Sequence, residues 1–344
     1  MKAYRMTKWQ AEPEFCDVDL REPGPGEVLV KVGGAGVCHS DLHVMEYPDG
    51  ALPYPLPFTF GHENAGWVER VGPGVRDVEP GEAVAVYAVW GCGRCPQCLV
   101  GADNYCENAP LFSGGGLGLD GGMASHMLVP SARFLCPLKG LDPREAAPLT
   151  DAGLTTYHAV KRSLSVLQPG STAVVIGVGG LGQMAVQVLK ALSPARVIAV
   201  DVSAEKLASA KALGADATVV SDAGAGAHLT ELTGGKGAEL VLDVVGSDAT
   251  LQLGVSASRR LGHLTLVGIA GGSTTFSYMG VPTEVALAST FYGSIPELNE
   301  VMTLARDRKI KTQAQLFPLE QAPQVYQRLR EGTIRSRAVI TPNG

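Results

Sequence analysis

The chain contains no uninterrupted apolar stretch of about 18 residues, which excludes a bilayer-spanning helix of the usual kind. It also lacks any excess of positive charge. The formal net charge is −6, so neither nucleic acid nor an anionic membrane has an electrostatic reason to bind, although local amides can still hold a small anion. The opening residues, Met1 to Gln10, mix charged and polar side chains without the apolar run that secretion requires, and a cytoplasmic location is expected. Internal repeats are missing, and the one low-complexity stretch is a short Gly/Ala run at 223–227. Cysteine is sparse and odd in number: seven residues, four of them between Cys92 and Cys106. In a large chain without a secretion signal, that clustering points to metal binding in a reducing compartment rather than to disulfides.

What is present is the composition of an ordinary globular protein, 45% hydrophobic and 18% charged, in 344 residues. That length exceeds what one hydrophobic core usually serves, so two domains are expected. The first third reads as short strands at 27–32, 66–71 and 83–87, bounded by Pro-Gly and Gly-Pro-Gly turns, which predicts a barrel-like β unit. Around Asp142 the pattern shifts to longer amphipathic segments. From Ser171 strands and helices alternate: strands at 172–176, 196–200, 217–220, 240–245 and 261–267, a helix at 181–192, and a second helix capped by Ser203 and running to about Leu213. Near-continuous apolar strands alternating with helices predict a parallel sheet covered on both faces. Beyond about Gly293 the chain mixes helix and strand, ending in Arg337-Ala-Val-Ile340.

Gly177-Val-Gly179-Gly180-Leu181-Gly182 follows the first of these strands and opens its helix. Gly177 permits the tight turn, Gly179 lets the backbone approach a pyrophosphate, and Gly182 allows close helix–strand packing. The unpaired N–H groups of the helix start, from Gly180 and Leu181 onward, then face the phosphates. The second strand ends at Asp201, 24 residues after Gly177. A carboxylate there can accept hydrogen bonds from an adenosine ribose and would repel a 2′-phosphate, so NAD is expected over NADP. A glycine turn alone would fit any sharp bend, and Asp201 alone would fit a helix cap; strand, glycines, helix and acid together point to a dinucleotide.

Two candidate metal sites follow different logic. Cys92, Cys95, Cys98 and Cys106 lie within fifteen residues, and four thiolates on tight Gly- and Pro-containing turns suit a closed, tetrahedral structural zinc. The second set is dispersed over Cys38-His39-Ser40-Asp41-Leu-His43, Gly61-His62-Glu63 and Asp151. A catalytic zinc keeps three protein ligands and one open position. Cys38, His62 and a later carboxylate or thiol satisfy that count, but spacing alone leaves their convergence open: Cys38 also fits a small core residue and His62 a turn histidine.

Gly61-His-Glu-Asn-Ala-Gly66 with Gly72 and Val75, the cysteine lobe, and the Gly177–Gly182 fingerprint occur in an order that resembles the zinc-containing medium-chain alcohol dehydrogenases, the bacterial secondary-alcohol branch above all. The resemblance implies an α/β protein: a Rossmann doubly wound parallel sheet inserted in a GroES-like β-barrel catalytic domain. Its expected divisions are 1–150 for the catalytic domain, with the zinc lobe at about 90–108, 151–290 for the NAD-binding domain, and 291–344 for the return to the catalytic domain. It implies Cys38, His62 and Asp151 as catalytic zinc ligands; Asp151 stands where the commoner pattern has Cys, and carries the same formal charge. Glu63 is then the glutamate beside the metal, and Asp41 the carboxylate that orients the ligating imidazole. Ser40 would take the alcohol proton and pass it through the cofactor ribose to His43. His39 would contact the cofactor, and Arg337 the pyrophosphate.

The resemblance thus implies a reversible NAD-linked oxidoreductase acting on an alcohol, ketone or aldehyde, with two zinc ions per chain and assembly as a homodimer or homotetramer. Association through Rossmann sheet edges would involve the run at 289–292. Tyr54, Trp90 and Tyr292 are candidate pocket walls, and each would equally serve as a core aromatic. A polyol, threonine or formaldehyde dehydrogenase on the same scaffold, or a non-catalytic NAD- or zinc-binding module, are the alternatives. Cys16 and Cys136 read as free thiols without a role.

Overall fold

Strand Val28–Gly36 is buried along its whole length except at Lys31, as a central strand must be. It pairs antiparallel with Glu63–Val71, His126–Val129 and Arg337–Thr341. It thereby anchors a seven-stranded sheet ordered 135–137, 83–86, 63–71, 28–36, 337–341, 314–318, with 126–129 also on the central strand. A smaller sheet joins Glu14–Asp17, Lys2–Met6 and Phe58–Thr59. Here the computed structural model describes residues 1–110 and 112–344. These strands belong to a unit made of Met1–Asp151, Gly293–Asp307 and Thr312–Gly344. The C-terminal third therefore completes a sheet begun by the N-terminal third.

The chain leaves the central strand directly into helix His39–Glu46, with Cys38 at its N-cap. No strong periodic pattern announces this helix, but its start is chemically defined. Asp41 folds back so that its carboxylate Oδ2 accepts from the Cys38 N–H at 3.1 Å, and an acid in the first turn also complements the helix dipole. Gly36 sits opposite Glu63 in the strand register, and any Cβ there would run into the Glu63 side chain. Glycine at 36 is what lets that carboxylate lie across the backbone.

The second unit comprises Ala152–Tyr292 and Arg308–Lys311. Its six strands run parallel in the spatial order 217–220, 196–201, 172–176, 238–243, 258–266, 286–289. In sequence order that is 3-2-1-4-5-6, the doubly wound arrangement whose ligand crevice lies outside the carboxyl ends of the first and fourth strands. Val174, Ile176, Ile198, Val200, Val241 and Leu264 form its core, each contributing roughly 1.5–3 kcal/mol by leaving water. Helix Gly180–Leu192 buries Met184, Ala185, Val188 and Leu189, the helical spacing visible in the sequence.

Several local expectations shift. The short Gly/Ala run enters helix Ala225–Leu232, whose Leu229 packs into the core. Helix Asp248–Ala257 was not legible from periodicity; a Ser247–Thr250 capping box starts it. Among the described residues no helix is long and apolar enough to cross a membrane.

Candidate active site and metal centres

The dispersed donors come together within the first unit. One ligand atom from each of Cys38, His62, Glu63 and Asp151 lies within 4.8 Å of the others. Cys38 Sγ is 3.5 Å from Asp151 Oδ2, which is itself 3.7 Å from His62 Nε2. Different elements deliver them. Cys38 ends the central strand's exit, His62 follows the positive-φ turn at Gly61, Glu63 opens a strand, and Asp151 closes a 3-10 turn. The Gly61 carbonyl is held by the Asn64 side-chain amide at 2.7 Å. Gly116 packs so closely on Gly61 and the His62 amide that no Cβ could be added there.

The imidazole is oriented from behind. Asp41 Oδ1 lies 3.1 Å from His62 Nδ1, an ion-pair contact without hydrogen-bond alignment, and Nε2 faces the other donors. Burial alone would depress the His62 pKa; the carboxylates of Asp41 and Asp151 outweigh it and hold the group well above its ordinary value. Burial likewise opposes ionisation of Cys38, yet Arg337 and His62 bring its thiol below the ordinary value. A thiolate and carboxylates gathered with an imidazole in one buried place suit a divalent cation, which would take the place of the proton on His62. These residues fit a zinc site with N, S and O donors.

The cysteine lobe forms the second centre. Its four sulfurs also lie within 4.8 Å of one another, and all seven thiols of the chain are free. The Cys92 and Asn108 N–H groups donate to Cys106 Sγ at 3.2 and 3.4 Å, and the Asn108 amide donates to Cys92 Sγ at 3.3 Å. The last of these bonds leads the contacts that bring the Cys92 thiol down to about 6. With four sulfurs and amide donors around them, the lobe fits a closed structural zinc. It is tied into the fold by Arg133, which bonds Cys98 O and Asp103 Oδ2 at 3.2 and 2.9 Å. The Tyr87 hydroxyl ties it further, accepting from Asn104 N at 3.1 Å and donating to Gly293 O at 2.6 Å.

In the second unit the glycine turn has the conformation its sequence requires. Gly177 adopts φ +88°, which favours glycine. A Cβ on Gly179 would meet nothing within 4 Å, so there is open space beside the turn, whereas one on Gly182 would strike Gly177 O. Asp201 ends the second strand, with Oδ2 accepting from Val178 N at 2.8 Å and Oδ1 from Ser203 N at 2.9 Å. The carboxylate therefore also braces the turn, a role the spacing argument did not contain. Each oxygen keeps a lone pair for a ribose hydroxyl.

The remaining candidates are distributed unevenly. Ser40 Oγ lies 3.4 Å from His62 Nε2, at the metal donors. His43, half-buried, has its ring tilted at 56° and centred 6.0 Å from that of the exposed His39 one helical turn earlier. Arg337 pairs with Glu63, its Nε 3.0 Å from Oε2, and its Nη2 is 3.7 Å from Asp151; the arginine expected at the pyrophosphate is engaged with the metal-site carboxylates. Tyr54 donates to Phe112 O at 2.5 Å, and Trp90 Nε1 to Tyr87 O at 2.8 Å. Their rings press on opposite parts of one glycine segment, Trp90 on Gly115 and Tyr54 on Gly118. Tyr292 lies in the second unit with φ +56° and its ring 6.1 Å from Phe291. One residue at the site escaped the sequence reading altogether. Buried Tyr326, on helix Ala322–Arg330, donates its hydroxyl to Asp41 Oδ2 at 2.7 Å across 285 positions, and no local pattern marks it.

Two metal-type donor sets and a dinucleotide-type turn define a metal-dependent oxidoreductase class, and comparison with known proteins narrows it. Residues 24–140 match the alcohol dehydrogenase GroES-like domain, and 180–307 the zinc-binding dehydrogenase domain. An NAD-dependent alcohol dehydrogenase of Sulfurisphaera tokodaii is 34% identical over 99% of this chain and 100% of its own length. The D-arabinose 1-dehydrogenase (NADP(+)) of Saccharolobus solfataricus is 36% identical over 99% of this chain and 97% of its own. The solved alcohol dehydrogenase of Aeropyrum pernix superposes with a TM-score of 0.92 at 38% identity, covering 99% of this chain and 100% of that one. The chain belongs to the zinc-containing medium-chain alcohol dehydrogenase family. It is an NAD-linked oxidoreductase whose two donor clusters suit one structural and one catalytic zinc.

Proposed function

We propose that the chain catalyses reversible hydride transfer between a secondary alcohol and NAD, giving the ketone, with Cys38, His62 and Asp151 as the catalytic zinc ligands. The observation that carries this reading is their convergence within 4.8 Å around an imidazole already oriented by Asp41. Zinc, when bound, supplies Lewis acidity toward the alcohol or carbonyl oxygen, and NAD accepts the hydride. Ser40 supports proton transfer: its hydroxyl, 3.4 Å from His62 Nε2, is within reach of a substrate oxygen presented there. His43, three positions further on and half-buried, is the route by which that proton reaches solvent. Glu63, neutralised by Arg337, would supply a further carboxylate beside the ion.

Asp201 supports NAD over NADP, since its buried carboxylate would face a 2′-phosphate with like charge. Tyr54 and Trp90 support an apolar substrate wall, because both polar atoms are already bonded to backbone carbonyls and leave ring surface to offer. The D-arabinose-oxidising relative favours a second reading, a sugar or polyol substrate on the same machinery. Strand Ala286–Ser289 ends the parallel sheet with one edge unpaired among the described residues, which supports association of two or four copies; light scattering tests it. NAD-coupled turnover across primary and secondary alcohols, polyols and aldoses, with and without chelator, tests the activity. No turnover of any alcohol by the zinc-loaded protein would overturn it.

A further inference from the structure

Tyr326 is fully buried, and its hydroxyl has an unusual place for a core tyrosine. It donates at 2.7 Å to Asp41 Oδ2, the oxygen that also accepts from the Cys38 amide at 3.1 Å. The other oxygen, Oδ1, holds His62 Nδ1 at 3.1 Å. The ring cannot easily turn away. Tyr4 stacks on it at 6.0 Å with an interplanar angle of 21°, and Phe60 lies at 6.2 Å. Two hydrogen bonds, from the far C-terminal helix and from one ligand's backbone, and the ion-pair contact of another ligand's ring therefore converge on one carboxylate that is 1% exposed.

We propose that Tyr326 is a positioning residue for the catalytic metal. Its hydroxyl locks the Asp41 side chain in the orientation that fixes both the Cys38 backbone and the His62 ring. The physical argument is satisfaction of a buried charge. Without Tyr326 the Asp41 carboxylate keeps one hydrogen bond, from the Cys38 amide, and the His62 contact, and the loss of a charge-assisted bond in a buried site leaves its orientation less tightly held. Each degree of freedom gained by Asp41 is passed to His62, whose Nε2 must point at the ion. Partners at this remove from the metal typically change its affinity by about 10- to 100-fold. The inference rests on the ligand set proposed above.

The test is zinc release to a chromophoric chelator from the full, zinc-loaded chain, followed in time and counted per protein. Tyr326→Phe keeps the ring and removes only the oxygen. It should release the catalytic zinc at least tenfold faster, leave release from the cysteine lobe unchanged, and alter the visible spectrum of the cobalt-substituted site. Tyr4→Phe is the control, because that hydroxyl is buried in the same aromatic cluster without a hydrogen-bond partner; it should release zinc at the parent rate. Release from Tyr326→Phe at the parent rate with an unchanged cobalt spectrum overturns the proposal, as does equal acceleration by Tyr4→Phe. His62→Ala separates the two levels. If it keeps two zinc ions, the ligand set is wrong; if it keeps one while Tyr326→Phe behaves as the parent, only the role of Tyr326 fails.

Discussion

The Cys38 thiol lies 3.5 Å from the Asp151 carboxylate although 113 positions separate the two residues. One leaves the central strand of the first unit, and the other ends the turn that closes the N-terminal segment of that unit. Their approach is what turns scattered polar residues into a coordination site. A thiolate and a carboxylate this close repel one another, and a dication between them removes that repulsion.

That geometry makes Asp151→Ala and His62→Ala separable from lobe mutants. Each should lose one zinc per chain and nearly all turnover while retaining the zinc of Cys92, Cys95, Cys98 and Cys106. Metal analysis alongside the NADH assay checks this, and an active Asp151→Ala protein with two zincs would refute the ligand assignment.

Ser40→Ala should lower turnover by about 10²-fold, the lower end of what a positioned proton-transfer group contributes. NAD binding, measured by quenching of protein fluorescence, should stay within about twofold on the same reasoning. Equal losses in both would make Ser40 a structural residue of helix His39–Glu46.

At Asp201 two roles can be told apart. Asp201→Gly removes both the charge and the brace on Val178 and Ser203, so NAD efficiency should fall and the gap to NADP should narrow. Asp201→Asn keeps an acceptor for the backbone and should narrow that gap with a smaller loss of thermal stability. An unchanged ratio of NAD to NADP efficiency in both variants would remove Asp201 from the coenzyme site.

Gly116→Ala tests the backbone packing under His62. Gly116 has φ +81° and lies against Gly61. A side chain there costs about 1–3 kcal/mol for the left-handed backbone and a further 1–3 kcal/mol or so for overpacking. Calorimetry should show a lower Tm, and zinc retention should fall with it. Alanine tolerated at full stability would show that the close approach is dispensable.

Cys136 is buried, donates to Asn299 Oδ1 at 3.1 Å, and has its thiol pushed up to about 11 by burial. At pH 8 it should therefore resist alkylation in the folded, zinc-loaded protein, while the half-buried Cys16 reacts. Peptide mapping after iodoacetamide treatment decides, and Cys136 labelled as fast as Cys16 would contradict the burial argument.

Much of this protein is written in local patterns. Alternation of apolar strands and helices after Ser171 depends on neighbours a few residues apart, and the parallel sheet follows it closely. Gly177, Gly179 and Gly182 need only a tight turn and a helix start, which are also local. The cysteine lobe is legible for the same reason, since its four sulfurs are never more than fourteen positions apart. Helix His39–Glu46 was less visible because its start depends on Asp41 folding back on Cys38 rather than on apolar spacing.

By itself, then, the sequence determined the elements, the glycine turn and the closed metal lobe, because each is stabilised by contacts within a short span of chain. Only the tertiary structure decided that Arg337 spends its charge on Glu63, that Asp201 also braces the glycine turn, and that Tyr326 reaches Asp41. Arg337 and Tyr326 act across hundreds of positions, and the Asp201 brace depends on how two strands lie side by side. Such contacts arise only when the sheets bring distant strands and helices together, and no periodicity in the chain records them.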